Sequence, residues 1–152
     1  MCGIFGIIAK EDKYKKEYLI KVLEDLAKLS QVRGKDSSGI AFRFESLKKI
    51  EVLKGPESIE KLLSSKEYEL LKEKISEVKK GTNNNIFTAL GHARLVTNGS
   101  QLQEKNNQPV IKDGIVGIHN GIIANDAALW EKHNHLIRNY EIDTEFYFAY
   151  VR

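Results

Sequence analysis

Met1-Cys2-Gly3-Ile4-Phe5-Gly6-Ile7-Ile8 opens the chain, and Cys2 is its single cysteine among 152 residues. Residues 3–9 form a short, nearly continuous apolar run, which predicts a strand buried on both faces. The lone thiol lies immediately before that strand. Removal of Met1, compatible with the small side chain that follows, would give one residue both a thiol and a free α-amino group. An ordinary cysteine titrates near about 8.5 and an α-amine near about 7.7–8.0. The amine can therefore accept the thiol proton near neutral pH, directly or through one water, and create a nucleophile. A lone cysteine in a soluble chain is most often a core residue. Position two, before Gly, an aromatic and Gly, points instead to chemistry.

Outward from this strand the pattern alternates between two periods. Leu19, Val22, Leu23, Leu26 and Leu29 recur at helical spacing with charged residues between them, and the helix ends before Arg33-Gly34. Residues 38–44 and 49–54 read as strands, punctuated by Gly55-Pro56. Residues 57–80 are rich in Lys and Glu and predict one or two surface helices, with a break near Ser64-Ser65. Residues 81–85 form a loop, 86–91 the next strand and 98–108 a long polar loop. Residues 110–111 and 115–118 predict a hairpin across Lys112-Asp113-Gly114. Residues 124–133 and 144–151 are helical, the second with Asp143 as N-cap. This mixed, hairpin-rich order predicts an α+β fold with a layered sheet core, in one domain over residues 1–152.

Composition narrows the function. The net charge of +3 comes from Lys and Glu mixed along helices rather than from a basic block. It gives no reason to invoke nucleic acid or an anionic membrane. One cysteine excludes an internal disulfide framework and a multi-cysteine metal site. No apolar run approaches the ~20 residues of a membrane span, and the start lacks the charged and apolar regions of a signal peptide. A cytoplasmic location is expected.

Three polar clusters interrupt apolar strands: Arg33-Gly34-Lys35-Asp36-Ser37-Ser38-Gly39, Gly91-His92-Ala93-Arg94-Leu95-Val96-Thr97-Asn98-Gly99 and Ile118-His119-Asn120-Gly121-Ile122-Ile123. Singly, each reads as a turn or a surface ion pair. With Cys2 they answer to one chemistry. A thiolate attacking an amide needs donors for the oxyanion, and an Asn side chain beside a Gly backbone N–H suits that task. A substrate with a free amino acid head needs a bidentate clamp, which Arg94 supplies, and a counter-charge, which Asp143 supplies.

These segments, together with Asp143-Thr144-Glu145, resemble in their order the class II glutamine amidotransferase domain, of the N-terminal-nucleophile hydrolase type found in glucosamine-6-phosphate synthases. The resemblance implies a four-layer αββα sandwich, here C-terminally incomplete, that hydrolyses L-glutamine to glutamate and ammonia. By position it makes Cys2 the nucleophile, with its freed amine as base, and gives the oxyanion hole to Asn120 and Gly121. Arg94 clamps the α-carboxylate, Asp143 meets the α-amino group, Thr97 lies in the glutamine-binding segment and Arg33 supports the nucleophile. Leu95 and Asn98 replace an aromatic residue and a histidine of that family. His92 and His119 are expected to be structural, and His133 and His135 to lie at the surface. No metal or organic cofactor is required. The implied partner is a synthase domain or subunit that accepts the ammonia, and an uncovered sheet face would favour self-association. Two alternatives stay open: a catalytically silent glutamine-binding or regulatory module, and an N-terminal-nucleophile hydrolase acting on another amide.

Overall fold

The computed structural model describes residues 2–10, 13–44, 48–77, 86–96 and 99–152. Met1, Thr97, Asn98, the loop at 81–85 and the end of the helix expected to reach residue 80 lie outside them. Strands β1 (Gly3–Lys10), β2 (Ser37–Phe44), β3 (Lys49–Gly55) and β4 (Ile86–Arg94) make one antiparallel sheet in the order β1-β4-β2-β3. Helices α1 (Lys16–Ser30), α2 (Ile59–Leu63) and α3 (Lys66–Glu77) lie on one face of it. The break between α2 and α3 falls at Ser64-Ser65, where both hydroxyls turn back to bond carbonyls of α2, an alternative to continuing the helix.

Alternation along the strands decides which residues meet those helices. Phe5, Ile40, Phe42, Phe44, Phe87 and Ala89 point toward them and pack with Leu19, Leu23, Ile59, Leu62, Tyr68 and Leu71. The buried arc of α1 runs through Leu19, Ile20, Leu23 and Ala27, so Leu29, expected on the apolar face, points outward.

The opposite face of the sheet corrects the reading of β1. Ile4 is 53% exposed and Ile8 79%, and Ile50 and Ile86 on neighbouring strands are also exposed. An unbroken apolar run shows that residues suit a sheet but cannot say whether both sides are covered. Here the far side is covered mainly at the end of the sheet that bears Cys2. There Lys54 of β3 donates to Asn107 O (2.8 Å) and Pro109 O (3.1 Å). Gly39 of β2 leaves room for this segment, since a Cβ would sit 2.3 Å from Gln108 O.

Beyond it, β5 (Val110–Lys112) and β6 (Ile115–Gly117) form the expected hairpin. Its two-residue loop has positive φ at both Asp113 (50°) and Gly114 (84°), the left-handed conformation that a tight hairpin turn demands. Helix α5 (Thr144–Tyr150) packs on the hairpin through Phe148, Val110 and Ile142. Helix α4 (Asp126–Lys132) packs on α5, with Trp130 edge-on to Phe146 at 5.2 Å. The buried ion pair between Lys112 and Glu145, at 2.9 Å, joins hairpin to helix. The whole is a mixed fold with antiparallel sheets, compatible with the α+β class. Among the described residues no helix is long and apolar enough to cross a membrane.

Candidate active site

Pairing of β1 with β4 places the nucleophile candidate. Gly3 lies opposite Ala93, so the residue before β1 meets the chain as it leaves β4. The N–H of Leu95 donates to the Cys2 sulfur (3.3 Å), and the thiol donates to Leu95 O (3.4 Å). Cys2 is half-buried. The stretch after β4 is itself fixed by Asp36, whose backbone N–H donates to Arg94 O (3.0 Å) and whose carboxylate accepts from Val96 N (2.8 Å).

Asn120 comes to the same point from the segment after β6. Its side-chain amide donates to Cys2 O at 2.8 Å. That bond uses one of the two N–H groups of the carboxamide and leaves the other for a further acceptor. Gly121 follows and lines a small cleft with Cys2, Arg94, Leu95, Gln108, His119, Ile142, Asp143 and Thr144.

Opposite charges flank this cleft. Arg94 ends β4 and is 5% exposed. One guanidinium nitrogen donates to Asn106 O (3.0 Å) and Asn107 Oδ1 (3.2 Å), the other to Gly99 O (3.3 Å). The arginine thus organises the loop over residues 99–107. Burial pushes its guanidinium below the usual value, while Cys2, Asp143 and Asp36 pull it back. Arg94 stays charged under these conditions. Asp143 is buried at the start of α5. One of its oxygens accepts from Thr144 N (2.8 Å), as the capping reading expected, and the other from Ile123 N (2.6 Å).

Cys2, Arg94, Asn120, Gly121 and Asp143, taken from four stretches of sequence, therefore meet in one place. Arg33 does not join them: it is exposed on a 3-10 turn (Gln31–Arg33) and is not among the lining residues. Thr97 lies outside the described residues. His119 has the expected structural contacts, stacking on Tyr147 and meeting Thr144 Oγ1 at 3.2 Å. His133 packs against Phe146 and Tyr150, away from the cleft, and His135 is exposed.

His92 is fully buried, and among the described residues neither ring nitrogen meets a partner in good hydrogen-bond geometry, the His119 backbone lying nearby. Burial first, and then the positive Arg94, push its pKa down to about 4, with the nearby His119 backbone weakly opposing. It is a neutral imidazole inside the sheet at physiological pH.

Several structural residues escaped the sequence reading. Asn106 and Asn107 are fully buried, and their amides bond Ser100 O, Gln101 O and the Glu141 carboxylate. Glu141 also accepts from Ser100 N and Gln103 Nε2, and these bonds hold its carboxyl below the usual range. It ties the loop around Arg94 to Ile142-Asp143. The available signal was three consecutive amide side chains, Asn106-Asn107-Gln108, entering an apolar strand.

No family model matches the chain. It is 32% identical over 148 residues to 7-cyano-7-deazaguanine synthase 2 of Sulfurisphaera tokodaii, across 95% of this chain and 29% of that protein. It is 34% identical over 128 residues to glutamine–fructose-6-phosphate aminotransferase (isomerizing) of Xylella fastidiosa, across 82% of this chain and 17% of that protein. The enzyme of the same name from Wigglesworthia glossinidia brevipalpis is 31% identical over 145 residues, across 95% and 21%. Over most of its length the chain is thus similar to part of each of these enzymes, and it spans less than a third of each.

Proposed function

We propose that this chain is the glutaminase part of a class II amidotransferase, hydrolysing the side-chain amide of L-glutamine through an N-terminal cysteine. The observation that carries the reading is the convergence on Cys2 of an Asn-Gly pair and two opposite charges. Arg94 and Asp143 line that same cleft and offer the opposite charges that the carboxylate and ammonium of a free amino acid head require. The two kinds of relative support it from another side. A cyano group and an aminated sugar phosphate each carry a nitrogen that has to be supplied. A shared ammonia-releasing part accounts for one stretch recurring in proteins with such different product names.

In the proposed mechanism Met1 is first removed. The α-amine of Cys2 takes the thiol proton, and the sulfur attacks the amide carbon of glutamine. The Asn120 side chain and the Gly121 backbone N–H hold the resulting oxyanion. Collapse breaks the C–N bond, and the protonated amine gives its proton to the departing nitrogen, which leaves as ammonia. Water then attacks the γ-glutamyl thioester, releasing glutamate and restoring the thiol. Arg94 clamps the α-carboxylate, Asp143 meets the α-amine and Thr97 serves the binding segment, while Arg33 stays outside the cleft. The reaction needs no metal or organic cofactor. The architecture under this reading is the αββα sandwich of N-terminal-nucleophile hydrolases, and residues 1–152 supply part of it. The ammonia passes to a synthase domain or subunit in the cytoplasm, with a sugar phosphate as the first acceptor to test.

A second reading has its own observation. Asp143 already bonds two backbone N–H groups, and Arg94 bonds carbonyls of its own loop. A silent module would bind glutamine without turning it over. Intact mass before and after treatment with diazo-oxo-norleucine, alongside glutamate release, separates the two. Loss of Met1 with one adduct on Cys2 and glutamate production is the expected result. Glutamine binding without adduct or glutamate would replace the enzyme by the silent module.

A further inference from the structure

The segment that carries Asn120 and Gly121 has no regular structure between β6 and α4, and both residues are exposed. Something else must fix where their donors point. Gln108 is buried, and its carboxamide spans both backbone groups of His119. Its oxygen accepts from His119 N at 2.6 Å, and its nitrogen donates to His119 O at 2.9 Å. This reproduces with a side chain the double bond pattern of an antiparallel ladder. It fixes the peptide planes on both sides of His119, and the second of those planes contains the Asn120 N–H.

Gln108 is itself held by the sheet. Lys54 bonds the carbonyls on either side of it, at Asn107 and Pro109, and the missing Cβ of Gly39 lets its own carbonyl lie against β2. At the far end of the segment the Asp143 carboxylate holds Ile123 N. Between the two anchors lie Asn120, Gly121 and Ile122. We infer that Gln108 is a positioning residue that transmits the place of the sheet to the oxyanion donors. The inference rests on the glutaminase reading above. A glutamine is needed because the clamp requires a donor and an acceptor at once; an ionised carboxylate can only accept.

The test uses the full chain with Gln108→Ala and Gln108→Glu, measuring glutamine hydrolysis and alkylation of Cys2 by iodoacetamide. Alkylation is a displacement that forms no oxyanion. Loss of one oxyanion donor typically costs ~10²–10³ in turnover, and displacement of a donor costs less. For Gln108→Ala we expect kcat lower by about 10–100-fold, KM within about threefold and the alkylation rate within about twofold. For Gln108→Glu, activity relative to the parent should rise as pH falls from 8 to 5.5, because the protonated carboxyl regains the donor. An unchanged kcat, a fall in alkylation matching that in kcat, or a flat pH ratio would each overturn the inference. If the parent chain itself does not hydrolyse glutamine, the functional reading fails separately. The clamp is then judged by hydrogen exchange of the His119 and Gly121 amides. Exchange at least tenfold faster at His119 in Gln108→Ala supports it, and unchanged exchange refutes it.

Discussion

Replacing His92 with leucine should remove a defined part of the acid sensitivity of this fold. The imidazole is fully buried, with no well-formed hydrogen bond among the described residues, and burial pushes its pKa down to about 4 from the 6.5 of an unburied histidine. The unfolded chain therefore binds the proton first. The contribution of this residue to stability is complete above 6.5 and is lost as pH falls toward 4. The slope in that window is about 1.4 kcal/mol per pH unit, giving a loss of about 2 kcal/mol by pH 5 and about 3 kcal/mol by pH 4. Carboxylates titrating in the same range are common to both proteins and cancel in the difference. Urea denaturation of parent and His92→Leu from pH 7 to pH 4.5 reads it directly. At a slope of about 2 kcal/mol per molar urea, the parent's midpoint should fall relative to the variant's by about 1 M between pH 7 and pH 5. At pH 7 the variant should be within about 1.5 kcal/mol of the parent, since the volumes are similar and the imidazole makes no well-formed hydrogen bond among the described residues. Parallel pH dependence in the two proteins would refute the assignment of a neutral, desolvated imidazole.

Other expectations concern the cleft and its supports. Asn120→Ala should lower kcat for glutamine hydrolysis by about 10²–10³ with little change in KM; an equal change confined to KM would assign Asn120 to binding. Arg94→Lys keeps the charge but loses the planar fork, so KM for glutamine should rise at least about tenfold, measured by initial rates of glutamate release. Gly39→Val sets a side chain against backbone at 2.3 Å and should lower stability by at least about 1–3 kcal/mol in denaturant titration. Lys112→Ala removes the cation beside the buried Glu145 carboxylate, which among the described residues keeps only the Asn139 and Tyr140 N–H groups, and should cost about 3–5 kcal/mol in denaturant titration.

The candidate site was legible where chemistry-bearing residues interrupt apolar strands. Cys2, Arg94 and Asn120 stood out because a strand end has little structural use for a thiol, a guanidinium or an Asn-Gly pair together. Local elements were legible too: the Ser64-Ser65 break and the Asp113-Gly114 turn depend on residues within a few positions. What the pattern could not carry is non-local. The open outer side at Ile4 and Ile8 depends on which segments arrive to cover it. The extension of β4 to Arg94 comes from its pairing with Gly3 and Ser37 on either side. Gln108 and Asp36 look like ordinary polar loop residues, and their roles rest on backbone groups 11 and 60 positions away.

The sheet order also sets a timetable. Strand β1 is made first, yet in the order β1-β4-β2-β3 it neighbours β4 alone, and Gly3 pairs with Ala93. At roughly 5–20 residues per second, about 5–20 seconds of synthesis separate the nucleophile strand from its partner. The contacts of Cys2 come later still, from Leu95 to its sulfur and from Asn120 to its carbonyl. During that interval β1 has no strand partner. If Met1 is removed as the proposed mechanism requires, topology leaves a window for that step before the sheet closes beside Cys2.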